Sequence, residues 1–181
     1  MMRELCPMCN SRKLVAPSGT PDAKILIFGW APGKIEILKG TPWLGKAGNV
    51  LESEMLRHGI QRHNYRLTNL WLHEEPEHGT KKNPNPLYPK ELDWHFMQLK
   101  QEMKGRKAVL ILGSEPMGLF GLPSVSEITG TLVNSIYIPS SVDVAMAMVN
   151  PAQALHDLLG ETRYAIDKFA LALQQHNISA V

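Results

Sequence analysis

Two apolar runs, each closed by a glycine, constrain the fold of this chain more than any other feature. They are Lys24-Ile25-Leu26-Ile27-Phe28-Gly29 and Ala108-Val109-Leu110-Ile111-Leu112-Gly113. Neither alternates apolar with polar residues, so neither reads as a strand with one wet face. A short continuous apolar run ended by glycine suits a strand covered on both faces, the environment of a parallel sheet between helical layers. Tyr65 to Leu70 and Val142 to Val149 read as further strands, with Ser135 to Pro139 as another candidate.

Helical spacing fills the intervals. From Lys46 to His58, Val50, Leu51 and Met55 share a face, Glu52 and Arg57 turn to solvent, and Gly59 is a plausible stop. Lys90 to Met103 places Leu92, Phe96, Leu99 and Met103 at helical intervals. Ser114 to Phe120 reads as a short helix, and Ile166, Phe169, Ala170 and Leu173 mark the last one. Residues 1 to 22 form an irregular leading segment. Residues 73 to 89, with four prolines, form a long loop of the kind that is often functional.

Strands alternating with helices predict an α/β domain with a mostly parallel central sheet, and 181 residues suit a single domain over 1–181. In such sheets ligands bind at the carboxyl ends of the strands. Gly29 to Gly33, Asn69 to Trp71, and Asn150 to Ala152 should therefore line one crevice.

Composition excludes several classes. With 44% hydrophobic and 20% charged residues, the chain is neither disordered throughout nor fibrous. No apolar run is long enough to span a membrane, and residues 1 to 6 carry no apolar signal core, so a cytoplasmic protein with no membrane partner is expected. The net charge of +2 permits a nucleic-acid partner without demanding one. The basic stretch from Lys100 to Lys107 reads as a solvated helix end. Cys6-Pro7-Met8-Cys9 is too sparse for a disulfide framework; its spacing suits two ligands on one metal, although a lone CxxC is also compatible with redox chemistry or chance.

The order of these segments resembles the uracil-DNA glycosylase superfamily, most closely its iron–sulfur-containing family 4. Gly29-Trp30-Ala31-Pro32-Gly33 resembles the first catalytic motif, usually Gly-Glu-Ala-Pro-Gly. Gly40-Thr41-Pro42-Trp43-Leu44-Gly45-Lys46-Ala47-Gly48 is similar to the block that follows it. Thr68-Asn69 and Val109 to Gly113 match two strand ends, and Asn150-Pro151-Ala152 stands where the second motif usually reads His-Pro-Ser or His-Pro-Ala. The resemblance covers roughly residues 5 to 160. It implies a three-layer α/β/α sandwich, base flipping, and DNA as partner to a monomer.

Base flipping needs a flat wall and a reader of the base edge. Trp43 would stack on the base, replacing the family's phenylalanine. Asn69, with one donor and one acceptor, would pair with the O4 and N3–H edge of a uracil-like base. Gly29 and Gly48 would allow close approach of backbone, Trp30 would line the pocket, and the backbone from Ala31 to Gly33 would help place water. Asn150 would donate to the departing base. Gln153 and Leu155 are candidates for the wedge that fills the vacated stack.

Two departures stand out. The acid of the first motif is Trp30 here, and the histidine of the second is Asn150. Glu36 and Glu52 are carboxylates in the same region and candidates to replace the acid, but each reads more simply as a surface charge. In the family four cysteines hold an iron–sulfur cluster. Alignment on Thr68-Asn69 and on Pro89 puts His73 and His95 at the third and fourth cysteine positions. The resemblance thus implies a Cys6, Cys9, His73 and His95 set. Such a set favours zinc, with a histidine-ligated iron–sulfur cluster as the alternative. His78 is a competing ligand in the same loop.

The leading expectation is a DNA glycosylase that hydrolyses the N-glycosidic bond of uracil or a modified pyrimidine. The alternative is a protein of the same fold that binds a modified base without cleaving it, or another base-modifying enzyme.

Overall fold

A computed structural model describes residues 13–156 and 159–179, with the side chains of 154–156 excepted. Six strands form one sheet: β1 (Ser18–Gly19), β2 (Ile25–Gly29), β3 (Tyr65–Asn69), β4 (Ala108–Leu112), β5 (Thr131–Leu132) and β6 (Val144–Met148). Their spatial order is β1-β3-β2-β4-β6-β5. The four long strands are parallel, and the two short edge strands run antiparallel to their neighbours. Every residue of β2, β4 and β6 is buried.

The helices are α1 (Lys34–Lys39), α2 (Lys46–Leu56), α3 (Tyr88–Met103), α4 (Ser114–Leu119), α5 (Val125–Ile128) and α6 (Leu159–Gln175). Alternate residues of each central strand feed two separate cores, as the twofold period of a strand requires. Ile25, Ile27 and Leu110 pack with Leu51 and Met55 of α2 and with Ile166, Phe169 and Leu173 of α6. Leu26, Phe28, Val109 and Ile111 pack with Leu99 and Met103 of α3 and with Met117 and Phe120. The result is the expected three-layer α/β/α sandwich. Each large side chain so buried contributes about 1.5–3 kcal/mol of transfer free energy.

Several expectations need correction. Ser135–Pro139 is a pair of turns, because Ser135 accepts from Ile138 and Pro139 from Val142 through their backbone amides. The edge strand is instead the two-residue β5, too short to show a period. Within the leading segment, Ser18–Gly19 pairs with β3. Helix α1 has only six residues and no buried one, so it leaves no apolar stripe in the sequence. Helix α3 begins at Tyr88 with Pro89 in its first turn, two residues ahead of the expected start.

The basic stretch after α3 is not a solvated end throughout. Arg106 is buried. Its Nη1 donates to the carbonyls of Pro21 and Ala23 at 2.7 and 2.5 Å, and its Nη2 pairs with Glu102 at 3.2 Å. One guanidinium therefore fastens the segment leading into β2 to the end of α3. Replacing it leaves the Pro21 and Ala23 carbonyls without this donor and takes from Glu102 one of its two guanidinium partners, the other being Arg66 at 3.4 Å. Arg106→Ala should lower unfolding free energy by about 2–4 kcal/mol, read from denaturant midpoints at unchanged slope.

Candidate functional site

All four long strands end on the same side of the sheet, and each hands one side chain to a single cavity. Trp30 follows β2, Asn69 ends β3, Glu115 follows β4 and Asn150 follows β6. The cavity has a volume of about 320 Å³ and is completed by Ala31, Pro32, Gly33, Glu36, Trp43, Ala47 and Ala152. It lies where strand order reverses about β2, with β3 on one side and β4 on the other.

Parallel pairing sets Gly29 directly opposite Asn69. The absence of a side chain at Gly29 is what lets the cavity wall close on this strand end. A Cβ there would lie 2.6 Å from Trp43 Cζ2 and 3.0 Å from Asn69 Oδ1. Trp43 is held from three sides. Its ring lies over Gly29, its Nε1 donates to the Thr68 carbonyl at 3.1 Å, and its backbone abuts Gly48, where a Cβ would come within 1.8 Å of the Trp43 oxygen. Its φ of 60° is a left-handed conformation uncommon outside glycine. A bulky aromatic held there by surrounding contacts marks a place where strain is tolerated for the position it secures.

Asn69 is 5% exposed, and its Oδ1 is buried without a hydrogen-bond partner. Asn150 is oriented differently. Its Oδ1 accepts from the Ala152 amide at 2.9 Å, which turns the Nδ2 donor end away from its own turn. The cavity thus holds one buried acceptor at the end of β3 and one anchored donor group just after β6.

Glu36 is not the plain surface charge expected. It lines the cavity, its Oε1 accepts from the Gly45 amide at 3.2 Å, and its Oε2 fills the space where Gly33 would carry a Cβ, 2.5 Å away. It therefore braces the Ala31–Gly33 turn against the Gly45 loop. Glu52 is exposed and does not line the cavity. Gln153 is exposed beside the cavity mouth, one residue beyond Ala152. The side chain of Leu155 lies outside the described residues. Sequence reasoning missed Glu115, since nothing in the spacing around it distinguishes it from any acid in a first helical turn.

Trp30 turns its indole N–H away from the cavity chemistry. Nε1 donates to Glu75 Oε2 at 2.6 Å. The other carboxylate oxygen of Glu75 accepts from the Tyr88 hydroxyl at 2.7 Å and contacts His78 Nε2 at 2.9 Å. Burial, followed by the hydrogen bond and charge of Glu75, pushes the Tyr88 phenol above its ordinary pKa, so it stays a proton donor to that carboxylate. His78 is thereby committed to Glu75 and to the Tyr88 ring, 4.1 Å away between centroids.

Behind Trp30 lies Trp71, and behind Trp71 lie His73 and His95, both buried. The two imidazoles meet through their Nε2 atoms at 2.9 Å. His73 Nδ1 lies 2.6 Å from the Glu74 carbonyl, so it carries the proton and leaves Nε2 as an acceptor. Cys6 and Cys9 lie outside the described residues. Among the described residues no group of three or more His, Cys, Asp or Glu converges as a metal site would require. No described helix is long and apolar enough to cross a membrane.

Comparison with known proteins agrees with this fold. The family model described as the uracil DNA glycosylase superfamily matches residues 16–174. The chain is similar to the type-4 uracil-DNA glycosylase of Thermotoga maritima, at 27% identity over 116 residues, covering 64% of this chain and 58% of the relative. It is also similar to the type-4 uracil-DNA glycosylase of Archaeoglobus fulgidus, at 32% identity over 92 residues, covering 48% of this chain and 45% of the relative. The chain thus spans about half the length of these curated relatives. A match along nearly the whole described chain, with the four strand ends converging as they do, means that this chain belongs to the uracil DNA glycosylase superfamily.

Proposed function

We propose that the chain is a DNA glycosylase that takes a uracil-like pyrimidine out of the DNA stack and hydrolyses its N-glycosidic bond. The observation that carries this reading is the buried, unpaired Asn69 Oδ1 in a cavity walled by Trp43. An acceptor left unpaired in the interior costs about 1–3 kcal/mol, which a ligand N–H would offset. A uracil-like base supplies that N–H at N3 and a carbonyl at O4 for the amide's donor end. Cytosine offers an acceptor and a donor in the reverse places and would leave Asn69 mismatched. Trp43 provides the stacking face, and Asn150 Nδ2 is available to donate to a base oxygen as negative charge develops there. Ala31, Pro32 and Gly33 line the same cavity, and the backbone of this turn would help hold water. The two type-4 relatives, which are named as uracil-DNA glycosylases, support this choice of substrate.

One observation favours a second reading. Trp30 stands where an acid is usual, and the only polar atom of its side chain is bonded to Glu75. A chain built this way would suit recognition of an extruded base without cleavage. Oligonucleotides bearing uracil, 5-hydroxymethyluracil, hypoxanthine or thymine, single- and double-stranded, separate the two. Abasic product from a pyrimidine substrate is expected, with Asn69→Ala slowing its release by about 10²-fold, the equivalent of a lost buried hydrogen bond to the base. Selective binding without product would establish the second reading, and neither binding nor product would overturn both.

The chain also carries residues that fit a metal centre, and we infer that His73 and His95 act with Cys6 and Cys9 as its ligands. Two observations support this. The imidazole Nε2 atoms already converge, with the His73 tautomer set by the Glu74 carbonyl as a ligating histidine requires. Trp71 Nε1, beside both rings, is a buried N–H without a partner, suited to a thiolate sulfur. Imidazole donors favour zinc, whereas the family resemblance implies an iron–sulfur cluster. Either group would serve to join the leading segment to the loop between β3 and α3. Elemental analysis and visible absorption of protein purified under anaerobic conditions decide the matter. Zinc without a chromophore is expected; iron with a brown chromophore would assign the cluster. Unchanged metal content in His73→Ala and His95→Ala would sink the ligand assignment.

A further inference from the structure

We propose that Glu115 is the carboxylate that orients the attacking water and takes its proton, standing in for the acid absent from position 30; the proposal rests on the glycosylase reading. Three observations lead to it. First, Glu115 lines the cavity that holds Asn69, Trp43 and Asn150. Second, it and the group assigned to the leaving base flank the same point at the end of β4. From the position a Cβ would take on Gly113, Glu115 Oε2 lies 3.6 Å away, Asn150 Cβ 3.5 Å and Asn150 Nδ2 3.7 Å. Third, the backbone holds this juxtaposition firmly. The Gly113 amide donates to the Met148 carbonyl at 2.9 Å, tying the ends of β4 and β6, and its φ of 96° turns the chain sharply into α4. Few residues other than glycine adopt that turn, so the side chain two positions on is aimed at the neighbouring strand end.

The other acid at the cavity is less suited to the task. Glu36 holds the Gly45 amide and packs against Gly33, so its oxygens serve the loop. Glu115 is exposed to the cavity and accepts one hydrogen bond, from Ser114 Oγ at 3.1 Å. That leaves lone pairs on its carboxylate for a water. Trp30 offers no carboxylate, and its indole N–H serves Glu75.

The step balances without any further reactant. The water oxygen bonds to C1′ of the deoxyribose as the C1′–N bond breaks. The bonding electrons leave with the base, whose anionic oxygen receives a hydrogen bond from Asn150 Nδ2. Glu115 accepts the proton that the water gives up and later releases it to solvent, while the free base takes a proton from solvent.

Single-turnover cleavage of the preferred oligonucleotide tests this, alongside binding of an uncleavable analogue of the same substrate. Glu115→Gln keeps the shape and the Ser114 bond, so folding is expected to be preserved and is checked by melting temperature. Its cleavage rate should fall by about 10²-fold while analogue binding stays within twofold of the parent, the signature of a group acting on a proton in the transition state. Added formate should restore part of the rate in Glu115→Ala and none in Asn69→Ala, a response that a merely structural carboxylate would not give. Cleavage by Glu115→Gln at the parent rate would overturn this role and leave the glycosylase reading intact. Absence of cleavage by the parent chain on every substrate would overturn both.

Discussion

The parallel register that sets Gly29 against Asn69 is the constraint on which the site depends. One residue of slip would carry the amide of Asn69 to the opposite face of the sheet. The register is protected because β2 is buried on both faces, so any slip would disrupt two cores at once. With the register set, the bare Gly29 leaves room for an indole. The Trp43 ring then spans the ends of β2 and β3 and reaches the Thr68 carbonyl. A flat wall and a buried amide thus come from the same pairing that builds the sheet.

The long loop after β3 links that wall to a second region. The Trp71 amide donates to the Trp30 carbonyl at 2.9 Å, and the two indoles meet edge to face at 6.3 Å between centroids. Trp71 in turn lies 4.8 Å from the His95 ring. A continuous aromatic stack therefore runs from the cavity to the histidine pair. Such a stack is stiff, because each ring is confined by the next, and it explains how a loop with a single isolated bridge, Gly79 to Pro84, keeps its place.

Much of this was legible in the sequence, for physical reasons. Strands buried on both faces have to be continuously apolar, so β2, β4 and most of β6 announce themselves. Asn69 and Asn150 follow from their places at the ends of strands, and Trp43 from the resemblance of its glycine-flanked block to that of the family. What escaped is equally instructive. A two-residue strand such as β5 has no period, and α1 has no buried face. Arg106 looks like any other cation in a basic stretch until two carbonyls from a distant segment are brought to it. Glu115 and Glu36 are acids in short helices, and only the convergence of strand ends separates them from Glu52, which faces solvent. Charge has no periodicity, so the role of a charged side chain is set by tertiary contacts that a linear pattern does not carry.

The hydrogen bond between Trp30 and Glu75 bears on how this chain can change. Putting a glutamate at position 30 would exchange an N–H donor for a second carboxylate facing Glu75, and two such groups at close range resist ionising together. The exchange would also remove the ring that packs edge-on against Trp71. An acid at position 30 would therefore suit this loop only with a different residue at position 75. The residue types of the two segments are therefore tied to each other through one hydrogen bond and one ring contact.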